Sequence, residues 1–371
     1  MNKFDIVEKI KLTDLLKAEL IRKSVSPYQL LQNKLGLAGN WHDNYFNWGR
    51  NALYYLFKNL NYQKIAFPAF TCPTLTEAAE KAGKKVVLVE ADLNTFNLDI
   101  NKIPQGTQCL VVVHTFGNPL DISLIKQKFK SIFIIEDCAH ALYAQKNNQY
   151  VGKTGEVILF SLYKQIPNIN GSLLLTKEEI INNQQAENKF KYLKRLLFKL
   201  EGLHEYFLNL KRHAYFPDIT RQDLNNFKPS NLVFNLFQIG FNPLEKEIEK
   251  RRIIANLYYR RIKKSTFLLA QNPEKQSNPS YYHFAVRLIP KLIPFRNKII
   301  MNLRRQNIFL AALWPDAPIT QAKYKNYQHC CPKAFLLAQS IINFPIYSYY
   351  SSKDINDLFT QIDLTIKKFI S

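Results

Sequence analysis

No apolar run in this 371-residue chain approaches the roughly 20 residues of a membrane-spanning helix. The opening stretch, MNKFDIVEKIKLTDLLKAEL, carries acids and lacks the apolar core of a signal peptide. These absences set the expectation of a soluble, cytoplasmic protein. The five cysteines, Cys72, Cys109, Cys138, Cys330 and Cys331, have no paired spacing, which argues for reduced thiols rather than a disulfide framework. His329-Cys330-Cys331 has no second CxxC or HxxxH partner, so no metal centre is expected there. Acids are scarce: 29 Asp and Glu stand against 51 Lys and Arg, a formal net charge of +22. The bases are spread along the chain, and no finger, RNP or helix-turn-helix signature gathers them, so nucleic acid is not the expected partner. A general positive field would instead attract anionic small molecules or an acidic membrane surface.

What is present is ample for a core: 47% of the residues are hydrophobic, with 26 Phe and 20 Tyr. The length suits one large α/β domain or a large and a small one. Residues 1–44 read as a polar, helical N-terminal arm whose Leu15, Leu16, Leu20 and Ile21 form an apolar stripe. Alternating units follow, with strands at Ile65–Pro68, Lys85–Glu90 and Cys109–His114 and helices over Leu75–Ala82 and about Ser123–Phe129. Strands separated by helices of this length call for right-handed crossovers and a mostly parallel sheet covered on both faces. Residues 45–245 are expected to form this large domain. Residues 246–371 are expected to form a smaller α+β domain, with a strand at Tyr281–Leu288 and helices over Glu245–Lys264, Phe295–Gln306 and Asp354–Phe369. No linker or repeat separates the two. Between them, residues 187–215 make a basic amphipathic helical stretch, which would pack on the body or a second subunit, or alternatively dock on an anionic membrane.

The most informative stretch is Ile132–Thr176. It holds two apolar strand-like runs, one ending in Glu136-Asp137-Cys138-Ala139-His140 and the other in Ser161-Leu162-Tyr163-Lys164. An Asp after a strand is often only a helix cap, and a Lys there is often only solvated. If the strands are parallel, however, both lie at the same sheet rim, where open α/β sheets bind ligands. An acid paired with a lysine is what pyridoxal 5'-phosphate chemistry requires. The lysine condenses with the aldehyde as a Schiff base, and the carboxylate keeps the pyridine nitrogen protonated so that the ring can take up electrons. Upstream, Gly49 opens a helix whose first turn holds Arg50 and Asn51. Its free amides and dipole would suit a phosphate, although a plain turn remains the alternative.

Taken together, Gly49-Arg50-Asn51-Ala52-Leu53, Pro68-Ala69-Phe70-Thr71-Cys72, Ile135-Glu136-Asp137-Cys138-Ala139-His140 and Phe160-Ser161-Leu162-Tyr163-Lys164 resemble the DegT/DnrJ/StrS family of pyridoxal phosphate-dependent sugar aminotransferases. The likeness runs from about Tyr45 to the end. It implies fold type I, a homodimer, and transfer of an amino group from an amino acid, glutamate by expectation, to an anionic, nucleotide-linked keto-sugar for amino-sugar or surface polysaccharide synthesis. It further implies Lys164 as Schiff-base lysine, Asp137 at the pyridinium nitrogen, His140 near the ring hydroxyl and Ser161 near the phosphate. Gly49, Arg50 and Asn51 would form the phosphate turn, and Cys72 stands where the family often stacks an aromatic on the ring. Retention of the lysine favours transamination over the dehydration of relatives that carry histidine there. Alternatives are a lipid-linked or non-sugar ketone as acceptor, or a non-catalytic binding relative, which should have lost the lysine or the acid.

Overall fold

The computed structural model describes residues 9–180, 184, 189–200 and 227–370. Its centre is a sheet of seven strands: β1 (His42–Phe46), β2 (Lys64–Pro68), β3 (Lys85–Val89), β4 (Cys109–Val113), β5 (Phe133–Asp137), β8 (Val157–Ser161) and β9 (Ser172–Thr176). Two short strands, β6 (Gln145–Lys146) and β7 (Gln149–Tyr150), form a hairpin outside it, to which Ser277–Asn278 adds a third strand. The order across the large sheet is β1-β9-β8-β5-β4-β2-β3. Strands β8, β5, β4, β2 and β3 run parallel, and β9 is antiparallel to both its neighbours.

The strand sequences explain this burial. CLVVV in β4, VILFS in β8 and SLLLT in β9 are buried along their whole length, as strands covered on both faces must be. Alternate residues then serve different layers: Val111 and Val113 join one core cluster, and Leu110 and Val112 another. The first cluster includes helices α3 (Gly49–Asn59) and α4 (Pro73–Lys81); the second includes α5 (Ile122–Lys128). Pro73 opens α4, where its missing N–H costs nothing, and Gly83 at φ +78° follows its end. Asp121 caps α5 by accepting from the amides of Ser123 and Leu124.

Two rim features fix the loops around the strand ends. Glu136 is buried to 1% exposure, and its carboxylate accepts from the amides of Gly152 (2.6 Å), Thr154 (3.1 Å) and Gly155 (2.9 Å). It also meets His114 Nε2 at 3.1 Å; His114 Nδ1 accepts from the Leu120 amide, so Nε2 carries the proton and donates. This saturation accounts for the closeness of His114, Glu136 and Cys138 without a metal ion. The second feature is Gly117 at φ +89°, where an added Cβ would lie 2.8 Å from the His140 carbonyl oxygen and 2.9 Å from the Tyr281 amide nitrogen. Through it, Ser280 and Tyr282 donate backbone hydrogen bonds to Gly117 and Phe116.

Residues 281–283 are therefore not strand, as the alternation suggested. Tyr281 sits at φ +48°, docking on the rim outweighs the local pattern, and the strand begins at Phe284. It is the middle of a three-stranded antiparallel sheet, Leu268–Ala270, Phe284–Leu288 and Ile341–Phe344, backed by helices Arg296–Arg305 and Ser352–Lys367. The helix expected over 245–264 begins earlier, at Asn231, and continues to Ile262 through Pro243. Its first half packs Phe237, Phe241, Leu244 and Ile248 on the large sheet, and its second half packs Ile254, Ala255, Tyr258 and Ile262 on the small one. The segment from Trp314 to Ile341 returns to the core of the large sheet.

The N-terminal arm is two short helices, α1 (Leu12–Leu20) and α2 (Pro27–Leu35). Of the stripe expected from Leu15, Leu16, Leu20 and Ile21, Leu15 packs against the core and Leu16 and Leu20 do not. Ala18 is the buried residue of α1, and Leu16 and Leu20 are exposed. A small side chain lets α1 lie close against Val233 and Leu236 of the long helix, which turns the leucines out. Of the amphipathic stretch at 187–215, Lys189–Lys199 is helical as expected, while residues 201–215 lie outside the described residues. No described helix is long and apolar enough to cross a membrane.

Removal of the Glu136 carboxylate leaves three buried amides and His114 without their acceptor. Glu136→Ala is expected to destabilise the fold by about 3–5 kcal/mol at neutral pH. Burial alone would raise the Glu136 pKa, but the hydrogen bond and charge of His114 and the loop amides outweigh it and hold the carboxyl below its ordinary value. A depressed carboxylate contributes stability above its unfolded-state pKa and loses it as pH falls through the folded value. Denaturant midpoints of the two proteins should therefore converge in acid, and midpoints that coincide at neutral pH would refute the anchoring role.

Candidate active site

Parallel register brings the two polar strand ends together. Val113 pairs with Asp137 and Asp137 with Leu159, so the ends of β4, β5 and β8 form one ledge. The chain leaving β8 runs straight into Tyr163 and Lys164. Gly171, at φ +111°, brings it back into β9: its amide donates to the Asn47 carbonyl, and its carbonyl accepts from Leu162. Above the ledge lies a cavity of about 230 Å³. Gly49, Arg50, Cys72, Asp137, Ser161 and Lys164 all line it, six of the eight residues expected from the sequence.

His140 is a seventh participant at one remove. Its Nε2 lies 3.0 Å from Lys164 Nζ. Burial, reinforced by the charges of Lys164 and His283, holds its pKa well below the ordinary imidazole value. The ring is therefore neutral, and Nε2 can accept a hydrogen bond from the lysine amine while the ring proton resides on Nδ1. The imidazole is fixed by aromatic packing, with Tyr282 at 4.4 Å, Trp314 at 5.3 Å and Phe116 at 5.9 Å between ring centroids, all near parallel. Gln165 donates to the His140 carbonyl, as does Ser280 at 3.0 Å.

Asn51 is placed differently from the expectation that its amide would serve a phosphate. That amide donates to the Trp48 carbonyl at 3.0 Å, as the first helical turn requires, and its side chain donates to Asn47 Oδ1 at 2.8 Å. It is fully buried and outside the cavity lining. The amides of Gly49 and Arg50 precede the first intrahelical bond, and α3 has no side-chain cap.

Asp137 is buried, with Oδ1 accepting from the Ala139 amide at 2.9 Å. Burial raises its pKa above the ordinary carboxyl value, opposed by the charge of Lys164 and by that hydrogen bond. Around it, Arg50 Nε and Ser161 Oγ are buried with no hydrogen-bond partner among the described residues. These donors and the two unused helix amides suit a phosphate at one end of the cavity, while the solitary carboxylate suits a cation such as a protonated ring nitrogen at another. The residues present therefore fit pyridoxal phosphate. Cys72 lines the wall with Sγ 3.0 Å from Thr74 Oγ1, a smaller surface than an aromatic ring.

Sequence reasoning missed several neighbours. Trp48 and Tyr163 line the cavity and meet edge to face at 5.1 Å. Both flank residues that were singled out, which was the available signal. Phe116, Tyr282 and Trp314 reach His140 from distant segments, and nothing local marks them.

Comparison with known proteins bears on the family and the fold. The sequence profile described as the DegT/DnrJ/EryC1/StrS aminotransferase family matches residues 45–363. A GDP-perosamine synthase of Escherichia coli O157:H7 is 22% identical over 303 residues, 79% of this chain and 76% of that protein. A dTDP-3-amino-3,6-dideoxy-alpha-D-galactopyranose transaminase of Aneurinibacillus thermoaerophilus is 26% identical over 303 residues, with the same coverage of 79% and 76%. Among solved structures, PseC of Helicobacter pylori, an aminotransferase involved in the biosynthesis of pseudoaminic acid, superposes with a TM-score of 0.74 at 16% identity, covering 98% of this chain and 99% of that one. The fold is that of the fold type I pyridoxal phosphate-dependent transferases. With its profile match spanning most of its length, the chain belongs to the DegT/DnrJ/EryC1/StrS aminotransferase family, enzymes dependent on pyridoxal phosphate.

Proposed function

We propose that the protein transfers an amino group from an amino acid, glutamate as the expected donor, to a nucleotide-linked keto-sugar, as a step in amino-sugar or surface polysaccharide synthesis. It would act in the cytoplasm as a homodimer. The observation that carries the reading is one cavity lined by Lys164 and Asp137 together with unsatisfied donors from Arg50 and Ser161. The activities named for the family relatives, GDP-perosamine synthase and a dTDP-amino-sugar transaminase, support the acceptor class.

Pyridoxal phosphate, when bound, supplies the aldehyde that links to an amine and the ring that absorbs electrons from a substrate carbon. Lys164 would hold that aldehyde and, once displaced by the donor, serve as the base for the proton at the donor Cα. His140 orients the amine, because its neutral Nε2 accepts from Nζ. Asp137 would keep the ring nitrogen protonated by remaining ionised against it. Arg50, Ser161 and the amides of Gly49 and Arg50 would hold the phosphate, and Cys72 would bound the ring on one side. Asp137, His140 and Ser161 are themselves buried, so water is kept from that side of the cavity.

The direct test is the visible absorbance of the purified protein loaded with pyridoxal phosphate, and its change on adding glutamate. Wild type should absorb and respond. Lys164→Ala should lose the lysine-linked band and about 10²–10⁴-fold of the turnover. A wild-type protein that takes up no cofactor would end the reading.

A second expectation concerns the cost of the site. Because the folded pKa of Asp137 is raised, its contribution to stability is full below the unfolded pKa and declines as pH rises through the folded value. Asp137→Asn should therefore make the cofactor-free protein more stable than wild type at alkaline pH, by about 0.5–2 kcal/mol, while weakening cofactor retention. The gain should vanish in acid. Thermal melts of cofactor-free protein in which Asp137→Asn is the less stable at every pH would overturn the account.

A further inference from the structure

A single buried amide joins the segment that carries Lys164 to the histidine that meets its amine. Between β8 and β9 the chain past Lys164 forms no helix or strand, and side chains hold it instead. Ile166 packs beneath Gly240, where an added Cβ would lie 2.4 Å from its Cγ2. Asn168 donates to the Leu162 carbonyl at 3.2 Å and to the Val233 carbonyl at 2.9 Å. Gln165, also buried, turns toward His140.

The Gln165 Nε2 carries two hydrogens. One is donated to the His140 carbonyl oxygen and the other to Ser280 Oγ at 3.0 Å. Ser280 donates its own hydrogen to the same carbonyl at 3.0 Å, which closes a ring of three hydrogen bonds. The amide can sit only this way round, because the reverse would set two acceptor oxygens against each other.

That orientation leaves Gln165 Oε1 buried with no donor among the described residues. An unmet buried acceptor costs stability, and a methionine of nearly the same shape would carry no such cost. What the amide adds over a methionine is position. It ties the peptide from which the His140 imidazole projects to the backbone one residue past Lys164. It also ties down the segment whose Tyr282 stacks on that imidazole at 4.4 Å. The junction has little room to shift, since an added Cβ at Gly117 would lie 2.6 Å from Ser280 Oγ and 2.8 Å from the His140 carbonyl oxygen.

We propose that Gln165 is a positioning residue for the amino transfer: its amide sets the 3.0 Å approach of His140 Nε2 to Lys164 Nζ, and with it the direction in which the amine's lone pair points. The inference rests on Lys164 serving as the base of the proposed reaction. Gln165 is outside the cavity lining, so it acts through His140 rather than on a ligand.

The test compares wild type with Gln165→Met. In cofactor-free protein, nitrogen-15 spectra of labelled histidine, assigned with His140→Asn, should show Nε2 of His140 as an unprotonated nitrogen that accepts a hydrogen bond. In Gln165→Met that resonance should move toward a nitrogen with no donor. In cofactor-loaded protein, the single-turnover rate at which glutamate removes the lysine-linked band should fall about 10–100-fold, with the half-saturating glutamate concentration little changed. Ser280→Ala keeps the bond from Gln165 to His140 and should lose less. In a His140→Asn background Gln165→Met should add almost no further loss, because the group it positions is gone. Thermal melts of cofactor-free Gln165→Met should stay within about 4 °C of wild type, and Gln165→Leu takes its place if that variant does not fold.

Four results would overturn the role: a single-turnover rate in Gln165→Met equal to wild type, a loss just as large in the His140→Asn background, a loss confined to the half-saturating glutamate concentration, or a His140 resonance that does not move. Failure of wild type to take up cofactor is read separately, by visible absorbance, and bears on the aminotransferase reaction. The His140 resonance is measured without cofactor and decides the positioning on its own.

Discussion

Glu136 and Asp137 are adjacent on β5, both buried, and alternation along a strand sends their side chains to opposite faces of the sheet. Their surroundings then divide their fates. Glu136 is saturated by three backbone amides and His114, and its carboxyl is held below the ordinary pKa. Asp137 has one backbone donor and the charge of Lys164, and its carboxyl stays above the ordinary pKa. The protein neutralises one acid completely and leaves the other short of partners. The first fastens the loop before β8 and the end of β4 to β5; the second is thereby held where a ligand cation can complete it. The asymmetry matters at the cavity, since a fully satisfied Asp137 would have no capacity left for a ligand cation.

The same division governs the loops above the ledge. The segment from Ser280 to Tyr282 belongs in sequence to the small unit, yet its amides bond to Gly117 and Phe116 on the large one, and Tyr282 stacks on His140. The approach is so close that a side chain at Gly117 would meet backbone. The orientation of the His140 ring, and with it the hydrogen bond to Lys164, thus depends on how the small unit docks. The long helix Asn231–Ile262 sets that docking, because one continuous rod enters both cores. Glycine at position 240 serves this packing too: an added Cβ would fall 2.4 Å from Ile166 Cγ2, two residues beyond the lysine.

Much of this was legible in the sequence where chemistry interrupts a pattern. Asp137 and Lys164 stand out because a charged residue ends an apolar run, and strand-and-helix alternation implied the parallel register that unites them. Gly49 was legible as the opening of a helix, the one formed by Gly49–Asn59. Several other features were not. HDNYF in β1 is too polar to read as strand, and it is one because it pairs with β9 at the sheet edge. The start of the long helix was hidden by Gly240 and Pro243, which locally signal a break but here lie within one packed helix. Of the apolar stripe read over Leu15, Leu16, Leu20 and Ile21, Leu16 and Leu20 are exposed, because periodicity locates a face without saying what covers it. Glu136 was visible as a polar strand end, but its role required knowing that residues 152–155 fold back over it.

The charge of +22 also takes on a more definite meaning once the site is described. Spread over the surface, such an excess attracts anions of every kind and selects among none of them. Selection requires cations held at fixed positions out of reach of bulk salt, and a long side chain is fixed only when its stem or head is packed. Arg50, Arg195 and Lys199 are packed against the rings of Trp48 and Tyr163, whereas Lys194, on the helix of the last two, is exposed. Asp137 is the single acid among the residues that line the cavity. Arg50 and Lys164 share that lining with it, so the cavity itself carries more positive than negative side chains. Acids are few in the chain as a whole, and at the cavity lining a single acid stands against two cations, a balance that suits an anionic group beside Arg50 and leaves Asp137 for a cationic one.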